Sequence, residues 1–298
     1  MAKRYIPRRL QRLRQTDTKP VVKPKWRLVW LFALLALWLI CSGAASFHPL
    51  AYRLEHYPHW NTKPPVEMAT GELAYPDWLE GTWQVRTTLV DAVAPLAPDV
   101  MTPGFDSNQD YLNQPVSFQA RFIRQSSVSE SSPNRFFAQW IGRSPQQSSQ
   151  HDPIIVADRA FNGLNLMRAT LNQSTDGMGD RLVKTVTVDP DNPNQQVTHL
   201  EGDRQLVSTV TGRLTESTRL HQFITTEVFQ QIFFGISQPY LNEVETTTEY
   251  RYLPDETLPI TADQVTAIYL SPKDPDYFKA GDRPVALYRY RLELSPET

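Results

Sequence analysis

The sequence predicts a mainly β protein: an antiparallel up-and-down barrel of about ten strands with one short helix, preceded by one N-terminal membrane-spanning helix or signal segment. Three observations carry this prediction. From Tyr75 onward, apolar and polar residues alternate with a period of two in one stretch after another, the pattern of strands with a single buried face. Only residues 158–171 repeat their apolar positions at helical spacing. Ahead of all of them stand twenty consecutive residues without a charged side chain.

Composition narrows the field. With 40% hydrophobic and 11% aromatic residues, the 298-residue chain holds enough core-forming side chains to exclude a disordered or collagen-like protein. Its one cysteine, Cys41, excludes an intramolecular disulfide and any multi-cysteine metal site. A mean hydropathy of -0.43 excludes a polytopic membrane protein but not a single anchor.

The charge is split along the chain. Residues 1–27 carry ten basic residues against Asp17, a net +9, whereas the rest carries 20 basic and 31 acidic groups, a net -11. This basic arm leads directly into residues 28–47, whose twenty residues rise about 30 Å as a helix, the thickness of a bilayer's hydrocarbon core. Basic residues before such a span keep the N-terminus cytoplasmic, so the acidic bulk is expected on the exported side as a single-pass membrane protein. The arm is read as a membrane orientation signal, with no nucleic acid as partner. Ser42, Gly43 and Ala44 would suit a signal peptidase, so both an uncleaved anchor and a cleaved signal segment stand. Cys41 lacks a small residue before it, and lipidation is not expected.

Residues 48–74 read as a proline-rich tether. They include His48, His56 and His59, whose spacing fits no metal motif, so no metal is expected. Residues 75–298 form the barrel domain. Trp83, Val85, Thr87 and Leu89 share the first apolar face, and Val116, Phe118, Ala120 and Phe122 the second. Further strands are expected over 136–141, 182–189, 196–201, 205–214, 222–233, 243–253, 264–270 and 285–294. Within 243–253, Val244, Thr246, Thr248, Tyr250 and Tyr252 oppose Glu243, Glu245, Glu249 and Arg251, which predicts a solvated charged face. Residues 189–194 and the Gly202-Asp203 pair are turn-forming. Asp158 is placed to cap the helix, and Arg159 either closes a pocket beside it or lies in solvent. A two-sheet sandwich is the alternative architecture.

Residues 77–83, Asp-Trp-Leu-Glu-Gly-Thr-Trp, resemble the Gly-x-Trp opening of calycins, the lipocalin and fatty-acid-binding class. There the tryptophan closes the barrel base and the glycine permits a tight bend. More specifically, residues 75–90, 155–168 and 188–213 resemble an uncharacterised calycin-like domain family of cyanobacteria and plastids. The resemblance implies residence on the exported side of a photosynthetic membrane, in the thylakoid lumen or the periplasm. It implies no activity. Haem-binding calycins draw an axial histidine from a late strand, and no histidine follows His221 here. Neither haem nor any other cofactor is expected.

No nucleophile elbow, phosphate loop, dinucleotide fingerprint or calcium loop occurs, so the chain gives no positive sign of an enzyme and no catalytic residue is assigned. Trp83, Trp140, Tyr250, Tyr252, Tyr288 and Tyr290 are the candidate ligand-binding residues, large rings expected to point into the barrel with hydroxyls to orient a ligand. The function expected is that of a membrane-anchored barrel that binds an apolar or pigment-like molecule or assists assembly of a photosynthetic membrane complex. The alternatives are a structural scaffold with a filled barrel and, further off, a lyase acting on open-chain tetrapyrroles.

Overall fold

A computed structural model describes residues 49–125, 153–217, 219–235, 239–254 and 256–297. The basic arm, the expected span, the strand expected over 136–141 and Trp140 lie outside the described residues. Among those described, no helix is long and apolar enough to cross a membrane.

The chain is mainly β. In order, its elements are α1 (Pro49–Glu55), β1 (Glu67–Met68), a 3-10 turn (Asp77–Leu79), β2 (Gly81–Val93), α2 (Phe105–Gln109), β3 (Pro115–Gln125), β4 (Ile154–Ala157), α3 (Arg159–Ser174) and α4 (Gly179–Leu182). Then come β5 (Val183–Asp189), β6 (Asn192–Leu200), β7 (Gln205–Glu216), β8 (Gln222–Phe234), β9 (Tyr240–Tyr252), β10 (Ile260–Leu270), α5 (Tyr277–Ala280) and β11 (Ala286–Pro296). All ladders are antiparallel, in the order β4-β3-β2-β11-β10-β9-β8-β7-β6-β5, and β1 adds to β7. Each neighbour in sequence from β5 to β11 is also a neighbour in space, as the up-and-down pattern requires.

The sheet is strongly curled. Phe122 on β3 and Phe223 on β8 stand five steps apart in the ladder, yet both lie against the ring of Tyr75, with ring centroids 4.9 and 5.7 Å away. A flat sheet holds strands about 4.8 Å apart, so those two rings meet only when the sheet wraps round that face. The result is a half-barrel of ten strands whose edges are β4 and β5.

Helix α3 lies between the edges, against β3 on one side and β5 and β6 on the other. Asp158 caps it, accepting from the Phe161 amide at 3.1 Å, as the sequence predicts. Asn162 then docks the helix on the edge of β3: its Oδ1 accepts from the Arg121 amide at 2.6 Å and its Nδ2 donates to the Arg121 carbonyl at 3.0 Å.

The segment expected to be a tether is folded onto the sheet instead. Helix α1 lays Leu50 and Leu54 against Ile224, Val265, Ala267, Tyr269 and Leu287 on the convex face. The chain then pairs with β7 at Gly212, where any Cβ would come within 2.5 Å of Val66, and continues to Tyr75, whose amide donates to the Ile155 carbonyl. Residues 66–75 therefore cross from β7 to β4. Prolines signal a lack of regular structure, not a lack of packing, which is why composition suggests a tether here.

The expected solvated charged face is corrected as well. Glu245 on the convex side of β9 is buried, 1% exposed, beneath Arg53 of α1.

Candidate functional site

The concave face is built in layers, and the strand registers set each one. At one end the 3-10 turn delivers Gly81 with φ +129°, a conformation side chains rarely adopt, so that Trp83 turns inward at once. Trp83 is buried, its Nε1 donates to the Leu79 carbonyl at 2.9 Å, and it packs with Val85, Ala120, Phe122, Ala262, Leu292 and Leu294. Tyr75, Tyr250, Tyr252 and Tyr290 lie against the same cluster. Tyr252 stacks on Trp78 at 5.5 Å and 5°, and the Tyr75 ring meets Tyr250 edge-on at 6.3 Å. Together these rings form an aromatic floor.

The next layers are polar. In register across β8, β9, β10 and β11 stand Thr225, Thr248, Gln264 and Tyr290, and above them Glu227, Thr246, Thr266 and Tyr288. Thr248 donates to Gln264 Oε1 at 3.2 Å, and the hydroxyls of Thr246 and Thr266 are 3.4 Å apart. Thr246, Gln264, Thr266 and Tyr290 are only half-buried although they occupy the middle of the sheet. Among the described residues, no hydrogen bond reaches the hydroxyl of Tyr250 or Tyr290, and the buried Thr225 Oγ1 has no partner. Burial pushes the Tyr290 hydroxyl pKa up to about 12 and raises that of Tyr250, with the Glu227 carboxylate adding to the latter, so both stay protonated donors.

Tyr288 is different. It is buried beneath Phe105, and its hydroxyl accepts from Asn108 Nδ2 at 3.1 Å, so the β2–β3 connection covers it. Of the six candidate residues, the structure brings Trp83, Tyr250, Tyr252 and Tyr290 to the floor and the first polar layer, and sets Tyr288 apart as a core residue. Trp140 lies outside the described residues.

A charged cluster flanks the polar layers. Arg159, at the start of α3, reaches across the concave side and donates to Glu227 Oε1 on β8 at 2.6 Å. Arg213 on β7 donates to the same oxygen at 2.9 Å, to Asn194 Oδ1 at 2.7 Å and to the Gly71 carbonyl at 2.9 Å. Glu72, from the crossing segment, stands 3.6 Å from Arg159 Nε. The side chains of Arg159, Arg213 and Glu227 are 11–14% exposed, so the solvated arginine considered for position 159 is not found. Burial opposes the charge on Arg159, but its neighbours, the Glu227 carboxylate first among them and Glu72 also, together hold the guanidinium charged. Burial raises the pKa of Glu72 above its ordinary value, with Arg159 pulling the other way. The sequence marks Arg159 through its place beside the helix cap. Glu72, Glu227, Arg213 and Asn194 carry no such mark, because their partners are far away in the chain.

Chemically, the chamber offers aromatic surface, a belt of hydroxyl and amide groups, and paired charges at one side. Among the described residues, no group of three or more His, Cys, Asp or Glu side chains is placed to hold a metal ion. His56 is exposed and stacks on Tyr52 at 3.7 Å. No curated protein and no solved structure matches the chain. A family model does match, over residues 67–298, so the matched part begins at β1 and takes in the crossing segment, the whole curled sheet and helix α3. On that match the chain belongs to the family of the domain of unknown function DUF6816.

Proposed function

We propose that this chain is a membrane-anchored, exported binding protein whose half-barrel, completed by α3 into a calycin-like chamber, holds a small amphipathic molecule on its concave face. The half-burial of Thr246, Gln264, Thr266 and Tyr290 at the centre of the sheet carries the proposal, because central inward side chains of a filled barrel are fully buried. The aromatic floor around Trp83 and Tyr250 suits an apolar or ring-bearing body. The hydroxyls of Tyr250 and Tyr290 and the amide of Gln264 suit a polar edge. An entirely apolar ligand would leave those groups unpaired, which sharpens the ligand class from apolar to amphipathic. The +9 arm and the uncharged residues 28–47 support attachment to a membrane with the domain exported, facing a lumen or periplasm.

The test is to purify the full chain from membranes in mild detergent and record the absorbance and mass spectrum of whatever small molecule accompanies it. A molecule retained by the wild type and lost from Tyr290→Phe supports the proposal. A protein that carries nothing small and binds no amphipathic fluorescent probe overturns it. Protease added on the exported side of sealed vesicles should digest the domain; protection there would overturn the topology.

A further inference from the structure

We propose that the end of the half-barrel formed by the β7–β8 and β9–β10 turns is a membrane-docking surface, whose exposed leucines enter the interfacial layer of the bilayer in which the chain is anchored. This rests on the anchored reading above and adds to it which face of the domain meets the lipid. The registers bring the two turns to one end: Gln222 at the start of β8 lies opposite Arg251 near the end of β9, and Tyr252, the last residue of β9, lies opposite Ile260, the first of β10. The turns project Leu220, Leu253 and Leu258, which are 88, 41 and 38% exposed. Both turns are tied down. The Tyr252 amide donates to the His221 carbonyl at 2.9 Å, and the His221 ring meets the Tyr252 ring edge-on. In the second turn the Leu253 amide donates to the Pro259 carbonyl at 2.6 Å and the Glu256 amide to the Leu253 carbonyl at 3.1 Å. Such bonds hold the leucines outward, where water contact is unfavourable and burial against an apolar partner recovers the loss. Trp78, stacked on Tyr252, lines one groove with Tyr252, Pro254 and Pro259 beside them. Apolar tips backed by a tryptophan and a tyrosine suit the boundary between headgroups and acyl chains.

The course of the chain selects lipid as the occupant and this end as the one that meets it. The amides of Leu50 and Ala51, in the first turn of α1, donate to the Glu216 carboxylate at 2.9 and 3.4 Å. Glu216 is the last residue of β7, directly before the β7–β8 turn. His48 alone separates α1 from residues 28–47, and one residue spans at most about 3.6 Å. A membrane span over residues 28–47 therefore brings the bilayer surface to the β7–β8 turn. The other end of the sheet also has an exposed ring, Phe278 of α5, 91% exposed. It lies a strand's length away, since β7 to β11 have eleven to thirteen residues each, roughly 40 Å. Anchoring gives the three leucines access to lipid and denies it to Phe278.

The test reconstitutes the full chain into phosphatidylcholine vesicles, with Cys41→Ser removing its one cysteine and Leu220→Cys or Leu258→Cys carrying an environment-sensitive fluorophore. Both sites are exposed, so neither substitution touches the core, and circular dichroism checks each. The vesicles contain lipid with a nitroxide quencher either on the headgroup or on the acyl chain near the glycerol. Side chains lodged at the interface lie about 5–10 Å deep, within reach of the acyl-chain nitroxide. Labels at 220 and 258 should therefore emit at shorter wavelength than a label at Phe278→Cys and lose emission to the acyl-chain nitroxide, while the label at 278 keeps its emission. A chain that does not float with the vesicles refutes the anchor, and the docking with it. A chain that floats while its labels at 220 and 258 escape the acyl-chain nitroxide, or answer only to the headgroup one, overturns the docking alone and leaves the leucines to a partner other than lipid. Equal quenching at 220, 258 and 278 also overturns it, since no end is then selected.

Discussion

Two arginines join the segments around the sheet to carboxylates within it, and they are not treated alike. On the convex side, Arg53 spends every nitrogen: Nε and one terminal nitrogen donate to Glu245 at 2.8 and 2.6 Å, and the other donates to the Thr62 carbonyl at 2.7 Å. Its guanidinium lies over the Trp60 ring at 3.7 Å, and Glu245 accepts further bonds from Tyr269 and Thr247. On the concave side, Arg159 shares Glu227 with Arg213, and the Nε of each arginine is buried without a hydrogen bond. A saturated network fixes one arrangement of the chain. An under-satisfied one keeps polar capacity in reserve. The contrast separates a structural latch, which holds α1 to the sheet, from the side of the sheet on which the proposed ligand would sit.

Breaking the latch should have the largest effect. Arg53→Met leaves Glu245 charged and buried with no counter-ion, and stability should fall by about 3–5 kcal/mol in urea denaturation. The double variant Arg53→Met, Glu245→Met should recover most of that loss, since both charges are then gone. A loss below about 1 kcal/mol in the single variant would mean that α1 is not held as described.

The same substitution on the other side should cost less. Arg159→Met removes one charge-assisted bond from Glu227 but leaves Arg213 to neutralise it, so about 1–3 kcal/mol is expected. Equal losses for Arg53→Met and Arg159→Met would erase the distinction between the networks.

The sheet was far easier to read from the sequence than either network. Strands such as β9 and β11 announce themselves because their apolar and charged residues alternate, and Asp158 announces a helix because an N-cap is a local bond. Strands β1 and β4, with two and four residues, are too short to show a period, and they help to close the half-barrel. The alternation correctly puts Glu245 opposite Val244, yet alternation says only which face a residue takes, not what covers that face. Arg53 covers it from 192 positions away. The site was legible to the same degree: Trp83 through its Gly-Thr-Trp context, the tyrosines through their shared phase, and the charged cluster only at Arg159.

Glu72 sharpens the comparison through pH. Its pKa is raised in the folded chain, by burial first, with Arg159 opposing. The folded state therefore holds this proton more tightly than the unfolded state does. Ionised Glu72 costs stability at neutral pH, and the cost vanishes as the pH falls through the raised value. Glu72→Gln should be more stable than wild type at pH 7, with the two converging towards acid. A Glu72→Gln protein less stable than wild type at pH 7 would make Glu72 a second latch and the concave cluster as structural as the convex one.

The smallest stability effect should come from the tyrosines, where the two halves of one sequence pattern part company. Tyr288 and Tyr290 share a strand and a face, and their positions in the sequence give no reason to treat them differently. The Tyr288 hydroxyl accepts from Asn108 beside Phe105, so Tyr288→Phe removes that hydrogen bond from a buried position and should cost about 0.5–1.5 kcal/mol. Tyr290 lies half-buried on the concave face with no protein partner among the described residues for its hydroxyl, so Tyr290→Phe should leave stability within about 0.5 kcal/mol. The order reverses for ligand retention: Tyr290→Phe should weaken it and Tyr288→Phe should not. Thermal melts and co-purification on the same two preparations read both quantities. If Tyr290→Phe destabilises as much as Tyr288→Phe and retains ligand no worse, both hydroxyls belong to a packed core, and the concave face is the inside of a scaffold.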